Sequence, residues 1–165
     1  MAKPCLFNVS PGAFSKEFFN FLPIPGEGDG SEGGVGNRAF CVMITLVAFP
    51  LICLAGTLTH LSLAAVKGGM GFVQSNFPEK KWVENVTPLE CYDAAFRHLC
   101  YFALDLVGKL FFLFVAGAYA CSPKEVKRHF NEADACIRSG NASLNVFNFF
   151  YERFGDKGAT AGKGG

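Results

Sequence analysis

Few residues in this chain have the types and spacing to do chemistry. His60, His98 and His129 fall in three different segments, and no HExxH, GxSxG or local Cys–His pair occurs. Seven cysteines (Cys5, Cys41, Cys53, Cys91, Cys100, Cys121 and Cys136) form an odd set without a CxxC, so zinc-ligand spacing is missing. Cys41, Cys53, Cys100 and Cys121 lie in or at the ends of apolar runs, where a thiol acts as a small hydrophobe. Free buried thiols in a reducing compartment are the expectation. The glycine-rich stretch 26–37 is not a phosphate loop, because Arg38 and an apolar run follow where Lys-Ser or Lys-Thr is needed. No catalytic, metal-binding or cofactor-binding residue is assigned. The chain is read as a non-enzyme without cofactors.

What remains is a set of polar residues set into apolar surroundings: His60, Asp105 and Lys109. Asp105 precedes Lys109 by four residues, the favourable order for a helical ion pair. His60 and Asp105 lie equally far from the connector between the two apolar runs. Antiparallel packing then puts them at one depth, where His60 can donate to the carboxylate. Gly56 and Gly108 would let the two helices approach closely. The expectation is a structural intramembrane polar cluster of His60, Asp105 and Lys109, a pin more than a proton path.

The elements that must position these residues are two apolar runs. Ala39–Val66 carries no Asp, Glu, Lys or Arg and is bounded by Arg38 and Lys67. As a helix it is about 42 Å long, more than the roughly 30 Å of a bilayer core. Pro50 near its middle predicts a kink that absorbs the excess. Leu99–Cys121 is the second run, interrupted only by Asp105 and Lys109. Between them lies a polar connector, residues 67–98. Gly68, Gly69 and Gly71 are expected to break the helix there, and Trp82 to anchor at the interface. Thr87-Pro88-Leu89-Glu90 is a capping box with proline at the first helical position, so a helix should start there and run to Cys121.

The flanks are amphipathic. Residues 1–38 combine a Phe-rich segment with the glycine-rich linker. Ser10-Pro11 can start a helix whose Phe14, Phe18, Phe19 and Leu22 share a face, either as an interfacial anchor or packed on the protein itself. Ser122-Pro123-Lys124-Glu125 repeats the capping chemistry. Val126, Phe130, Ala133 and Ile137 then make one narrow apolar face, with Asp134 among the polar residues covering the rest, as expected of a helix lying on a membrane surface or, alternatively, of a soluble helix packed on other parts of the chain. A further amphipathic segment reaches 154, and residues 155–165 form a disordered tail. Asn-x-Ser/Thr occurs at Asn8, Asn85 and Asn141, where chance supplies about one match, and is weak evidence for glycosylation.

Composition agrees with a membrane setting. Of 165 residues, 50% are hydrophobic and 19 are Phe, more rings than a small soluble core can take up. The net charge of +1 excludes a nucleic-acid footprint. The fold class expected is all-α: an integral membrane helical hairpin over residues 39–121, the first helix kinked at Pro50, with amphipathic interfacial helices over 122–154. Positive charges near the membrane marginally favour both ends inside.

Two apolar lobes joined by a polar connector, without a signal peptide, resemble the bilobed hydrophobic motif of chlamydial inclusion membrane proteins. The lobes here are Ala39–Val66 and Leu99–Cys121. The resemblance implies a bacterial protein secreted by a type III apparatus into a vacuolar membrane facing the host. It carries over no functional residues. The function expected is a small multi-pass membrane protein with a structural or partner-recruiting role. Its partners would be the lipid bilayer, proteins docking on the Phe-rich termini and further copies of itself. The competing expectation is an oligomeric pore or holin-like transport protein using the polar residues of the second span.

Overall fold

A computed structural model describes residues 11–24, 35–77 and 86–139. Among these the chain is all-helical: α1 (Phe14–Phe21), α2 (Val35–Asn76), α3 (Pro88–Leu110), α4 (Phe112–Cys121) and α5 (Pro123–Arg138). The linker glycines 25–34, Trp82, the three Asn-x-Ser/Thr sites, the amphipathic segment after 140 and the tail lie outside the described residues.

α2 and α3 form an antiparallel hairpin, the largest helix–helix contact of the fold. α1 lies on this hairpin, antiparallel to α2. Phe14 sits beside His60, and the Pro23 carbonyl, just past α1, accepts from Cys41 Sγ at 3.9 Å. α5 covers α1, also antiparallel to it. Lys16 reaches Asp134, Asn20 pairs with Asn131 through two 3.2 Å bonds, and Lys127 donates to the Leu22 carbonyl. The result is layered: hairpin, then α1, then α5. Phe18, Phe19, Leu22, Phe49, Tyr119 and Val126 form the core where the layers meet. Phe19 alone stacks on Phe49, Tyr119 and Phe130, with ring centroids 4.9–5.3 Å apart.

Several sequence expectations are corrected. The first helix does not stop at Val66. It continues through Gly68, Gly69 and Gly71 to Asn76. Glycine costs a helix about 1 kcal/mol each relative to alanine. Here two of the glycines allow close packing: a Cβ on Gly71 would meet Cys91 and Tyr92 at 3.1 Å, and one on Gly68 would touch Ala95. The connector is therefore shorter than residues 67–98. Pro50 lies inside α2.

The second helix does not run unbroken to Cys121. It ends at Leu110, and Phe111 redirects the chain so that α4 leaves at 80°. The Thr87 capping box is present, with Glu90 N–H donating to Thr87 Oγ1 and Thr87 N–H donating to Glu90 Oε2 at 2.7 Å. At α5 Pro123 opens the helix, but Ser122 makes no side-chain cap. α5 does not lie with its apolar face free for a membrane. Val126, Phe130 and Ile137 turn inward to the α1 layer, and Asp134, expected on the polar face, is buried. α1 starts at Phe14, later than Ser10-Pro11 proposes, and of its two expected roles it takes the packed one.

Among the described residues one helix is long and apolar enough to cross a membrane: Ala39–Asn76, with mean hydropathy 2.4 in its most apolar window, of which 28% is buried. α3 and α4 meet the same criterion only when counted together as a bent pair.

Candidate functional site

The N-cap of α1 is Ala13, which has no hydroxyl or carboxylate to cap the first turn. The first backbone N–H groups of a helix need acceptors and carry partial positive charge. Two carboxylates from other helices supply them. Asp105 of α3 accepts from Ser15 Oγ at 2.6 Å, Ser15 N–H at 3.0 Å and Phe14 N–H at 3.4 Å. Asp134 of α5 accepts from Ala13 N–H at 3.3 Å and from Lys16 Nζ at 3.2 Å, and also holds Arg138 at 2.8 Å. The N-terminus of α1 is thus capped in trans by two buried aspartates, and this joins the three layers at one point.

His60 and His98 complete the site. Both are fully buried, with their Nδ1 atoms 3.1 Å apart. One ring must donate and the other accept, so the contact is compatible with neutral rings and opposes two imidazoliums. His60 Nε2 lies 3.9 Å from Asp105 Oδ2, an ion-pair contact beyond hydrogen-bond reach. Phe14 packs edge-on against His60 at 5.6 Å, and Tyr101 lies 5.1 Å from it on another side. Gly56 makes the close approach possible, because a Cβ there would overlap the Asp105 carboxylate and sit 3.0 Å from Phe14 Cβ. Gly108 does the same one turn further on, where a Cβ would meet Phe49 and Cys53 at 3.2–3.3 Å.

Of the three residues expected in the cluster, the structure brings His60 and Asp105 together. Lys109 is half-buried and makes no ion pair with Asp105, whose partners are Ser15, Phe14 and His60. Sequence reasoning missed three members. His98 was legible: with Tyr101 and Asp105 it recurs at i, i+3 and i+7, one face of α3. Ser15 and Asp134 had no signal beyond the missing cap on α1, since their contacts span 90 and 121 positions of sequence.

Outside the hairpin, Lys16 is the one lysine of α1. Its burial works against the charge, but Glu17 and Asp134 outweigh that and raise its pKa above the ordinary value. Among the described residues no group of three His, Cys, Asp or Glu side chains can hold a metal ion. Asp105 is occupied with α1 and the two histidine Nδ1 atoms with each other, while the buried His60 Nε2 has no hydrogen-bond partner among the described residues. Comparison with known proteins gives no match: no family model, curated protein or solved structure is similar to this chain.

Proposed function

We propose that this chain is a small membrane-embedded protein with a structural or partner-recruiting role. The observation that carries this reading is an inverted distribution of polarity. Buried at the centre are Ser15, Thr45, Thr57, His60, His98 and Asp105. Exposed along α2 are Phe40, Met43, Val47, Leu51, Leu54, Leu58, Leu61 and Phe72, and along α3 Phe96, Leu99, Val107 and Leu110. At 100° per residue the exposed set of each helix lies opposite its buried set. From Ala39 to Phe72 the exposed positions of α2 include no charge, and their one polar side chain, Ser62, donates back to the Leu58 carbonyl at 2.8 Å.

Soluble monomers rarely expose apolar patches beyond a few hundred Å². Polar residues of membrane proteins, by contrast, face the interior of the bundle. α2 is also too little buried to be the enclosed core helix of a soluble domain. Lipid is the partner that suits the charge-free outer face of α2, which the exposed Phe96, Leu99, Val107 and Leu110 of α3 extend. Two arrangements put that surface in lipid. One is the two-span hairpin, with α2 crossing and the bent α3–α4 pair returning, in a vacuolar membrane if the inclusion-protein resemblance holds. The other is a slab lying in one leaflet.

The structural role is supported by the use of the polar cluster. His60, His98 and Asp105 are sealed from solvent: Asp105 holds α1, the two histidines contact each other, and Lys109 is half-buried. The test is phase separation in a cloud-point detergent after a neutral urea wash. Recovery in the detergent phase, with no ion flux from reconstituted liposomes, is expected. Release into the aqueous wash would refute embedding, and a stable ion flux would favour the pore.

A further inference from the structure

The polarity of the outer surface also specifies how the protein meets the bilayer. We infer that the chain embeds in a single leaflet, with α2, α3 and α5 parallel to the membrane plane, and does not cross the bilayer; this rests on the membrane reading above.

Three observations carry the inference. The first is depth. α5 runs alongside the same part of α2 that is most apolar: Phe130 contacts Phe49, and α1 sits between the two helices from Gly56 to Cys41. Its outward residues Lys124, Glu125, Arg128, His129 and Glu132 are exposed. They form ion pairs with one another, Arg128 with Glu125 and Glu132 among them, in the manner of a helix face in water. If α2 stood across the bilayer, these charges would lie at the depth of the hydrocarbon core and face lipid. If α2 lies in the plane, the hairpin layer is in lipid and the α5 layer is above it in water.

The second observation is length. The charge-free outer face of α2, from Phe40 to Phe72, is about 48 Å long at 1.5 Å per residue, against a core of about 30 Å. A crossing helix leaves part of that face in water. A helix in the plane buries all of it, at the 5–10 Å depth usual for interfacial helices, roughly.

The third is the break at Phe111. α3 is one helix from Pro88 to Leu110, but the apolar α4 leaves it at 80° and cannot extend it along one axis through a bilayer. In the plane, the exposed Phe111, Leu113 and Phe114 around this corner continue the apolar face.

The test is depth-resolved fluorescence quenching in phosphatidylcholine vesicles whose acyl chains carry bromine at defined carbons. The native tryptophan is removed by Trp82→Phe, and single tryptophans are placed by Phe40→Trp, Leu54→Trp, Val66→Trp, Phe72→Trp and Glu132→Trp. The inference expects the four α2 probes to be quenched at one shallow depth, within about 5 Å of each other, and Glu132→Trp to escape quenching. A profile in which Leu54→Trp lies about 15 Å deeper than Phe40→Trp would overturn the in-plane arrangement and leave membrane embedding intact. Absence of quenching at all four α2 positions would mean that water or a second copy covers the face, and would overturn both readings. A readout without substitutions guards against misfolded variants. Polarised infrared dichroism of the wild-type chain in oriented bilayers should place the helix axes in the plane, and axes along the bilayer normal would refute the inference.

Discussion

Removing the Asp105 carboxylate should undock α1 while leaving the hairpin helical. In Asp105→Ala, two good hydrogen bonds are lost, from Ser15 Oγ and Ser15 N–H, together with a longer one from Phe14 N–H. Hydrogen bonds to a charged group contribute about 1.5–3 kcal/mol each, which sets a gross loss of about 3–6 kcal/mol. Part is recovered, because a buried carboxylate no longer has to be kept out of water. A net loss of about 2–4 kcal/mol follows, above the usual 0.5–2 kcal/mol for a helix cap. The assay is amide hydrogen exchange in detergent micelles at neutral pH. At 1.4 kcal/mol per tenfold, residues 14–21 should exchange roughly 30- to 700-fold faster, while α3 changes much less. Asp105→Asn keeps a carbonyl oxygen for Ser15 and should give a smaller increase. Exchange of α1 within threefold of wild type in Asp105→Ala would refute the claim that this carboxylate holds the helix.

Three other outcomes follow from the same geometry. Gly56→Ala drives a methyl into the Asp105 carboxylate and should destabilise by about 1–3 kcal/mol, whereas Gly69→Ala meets nothing within 4 Å and should stabilise by about 0.5–1 kcal/mol; thermal unfolding in micelles compares them. Double-mutant cycles should give a coupling of about 1–3 kcal/mol for Ser15→Ala with Asp105→Ala, and under about 1 kcal/mol for His60→Leu with Asp105→Leu, because 3.9 Å is no hydrogen bond; a larger His60 coupling would contradict the placement. Lys16 has a raised pKa in the fold, so its contribution is fully present below its ordinary value near 10.5 and is lost as pH rises through the raised one; hydrogen exchange should show α1 loosening only in that alkaline window, and loosening between pH 6 and 9 would point to another group.

Much of the helical framework was legible and most of the tertiary site was not. The Thr87 box works through bonds three residues apart, so the chain states it outright. Charge-free runs likewise announce long apolar helices. The glycines after Lys67 misled because propensity is local, and Gly71 belongs in the helix for a reason that sits on α3, at Cys91 and Tyr92. The break at Phe111 carries no Pro or Gly signal; α4 turns there and packs its Tyr119 on Phe19, with the Tyr119 hydroxyl donating to the Pro23 carbonyl at 2.9 Å. Equal spacing from the connector was enough to bring His60 near Asp105. It was not enough to show that the real partner of Asp105 is a helix N-terminus from the far end of the chain. Periodicity put Val126, Phe130 and Ile137 on the inward face of α5, yet left Asp134 on the polar side and gave the apolar side to a membrane when α1 was the occupant. A one-dimensional pattern shows that a face needs covering, and the cover itself comes from the fold.

The account stands on one division of surfaces: outer faces of α2 and α3 in lipid, inner faces on α1. Photolabelling with a diazirine-bearing phospholipid in vesicles at neutral pH, with adducts mapped by mass spectrometry, measures it most directly. Adducts are predicted at outward residues such as Leu51, Leu54, Leu58, Val107 and Leu110, and none at Phe19, Phe49 or Tyr101. An unlabelled outer face, or adducts concentrated on those inner rings, would contradict it.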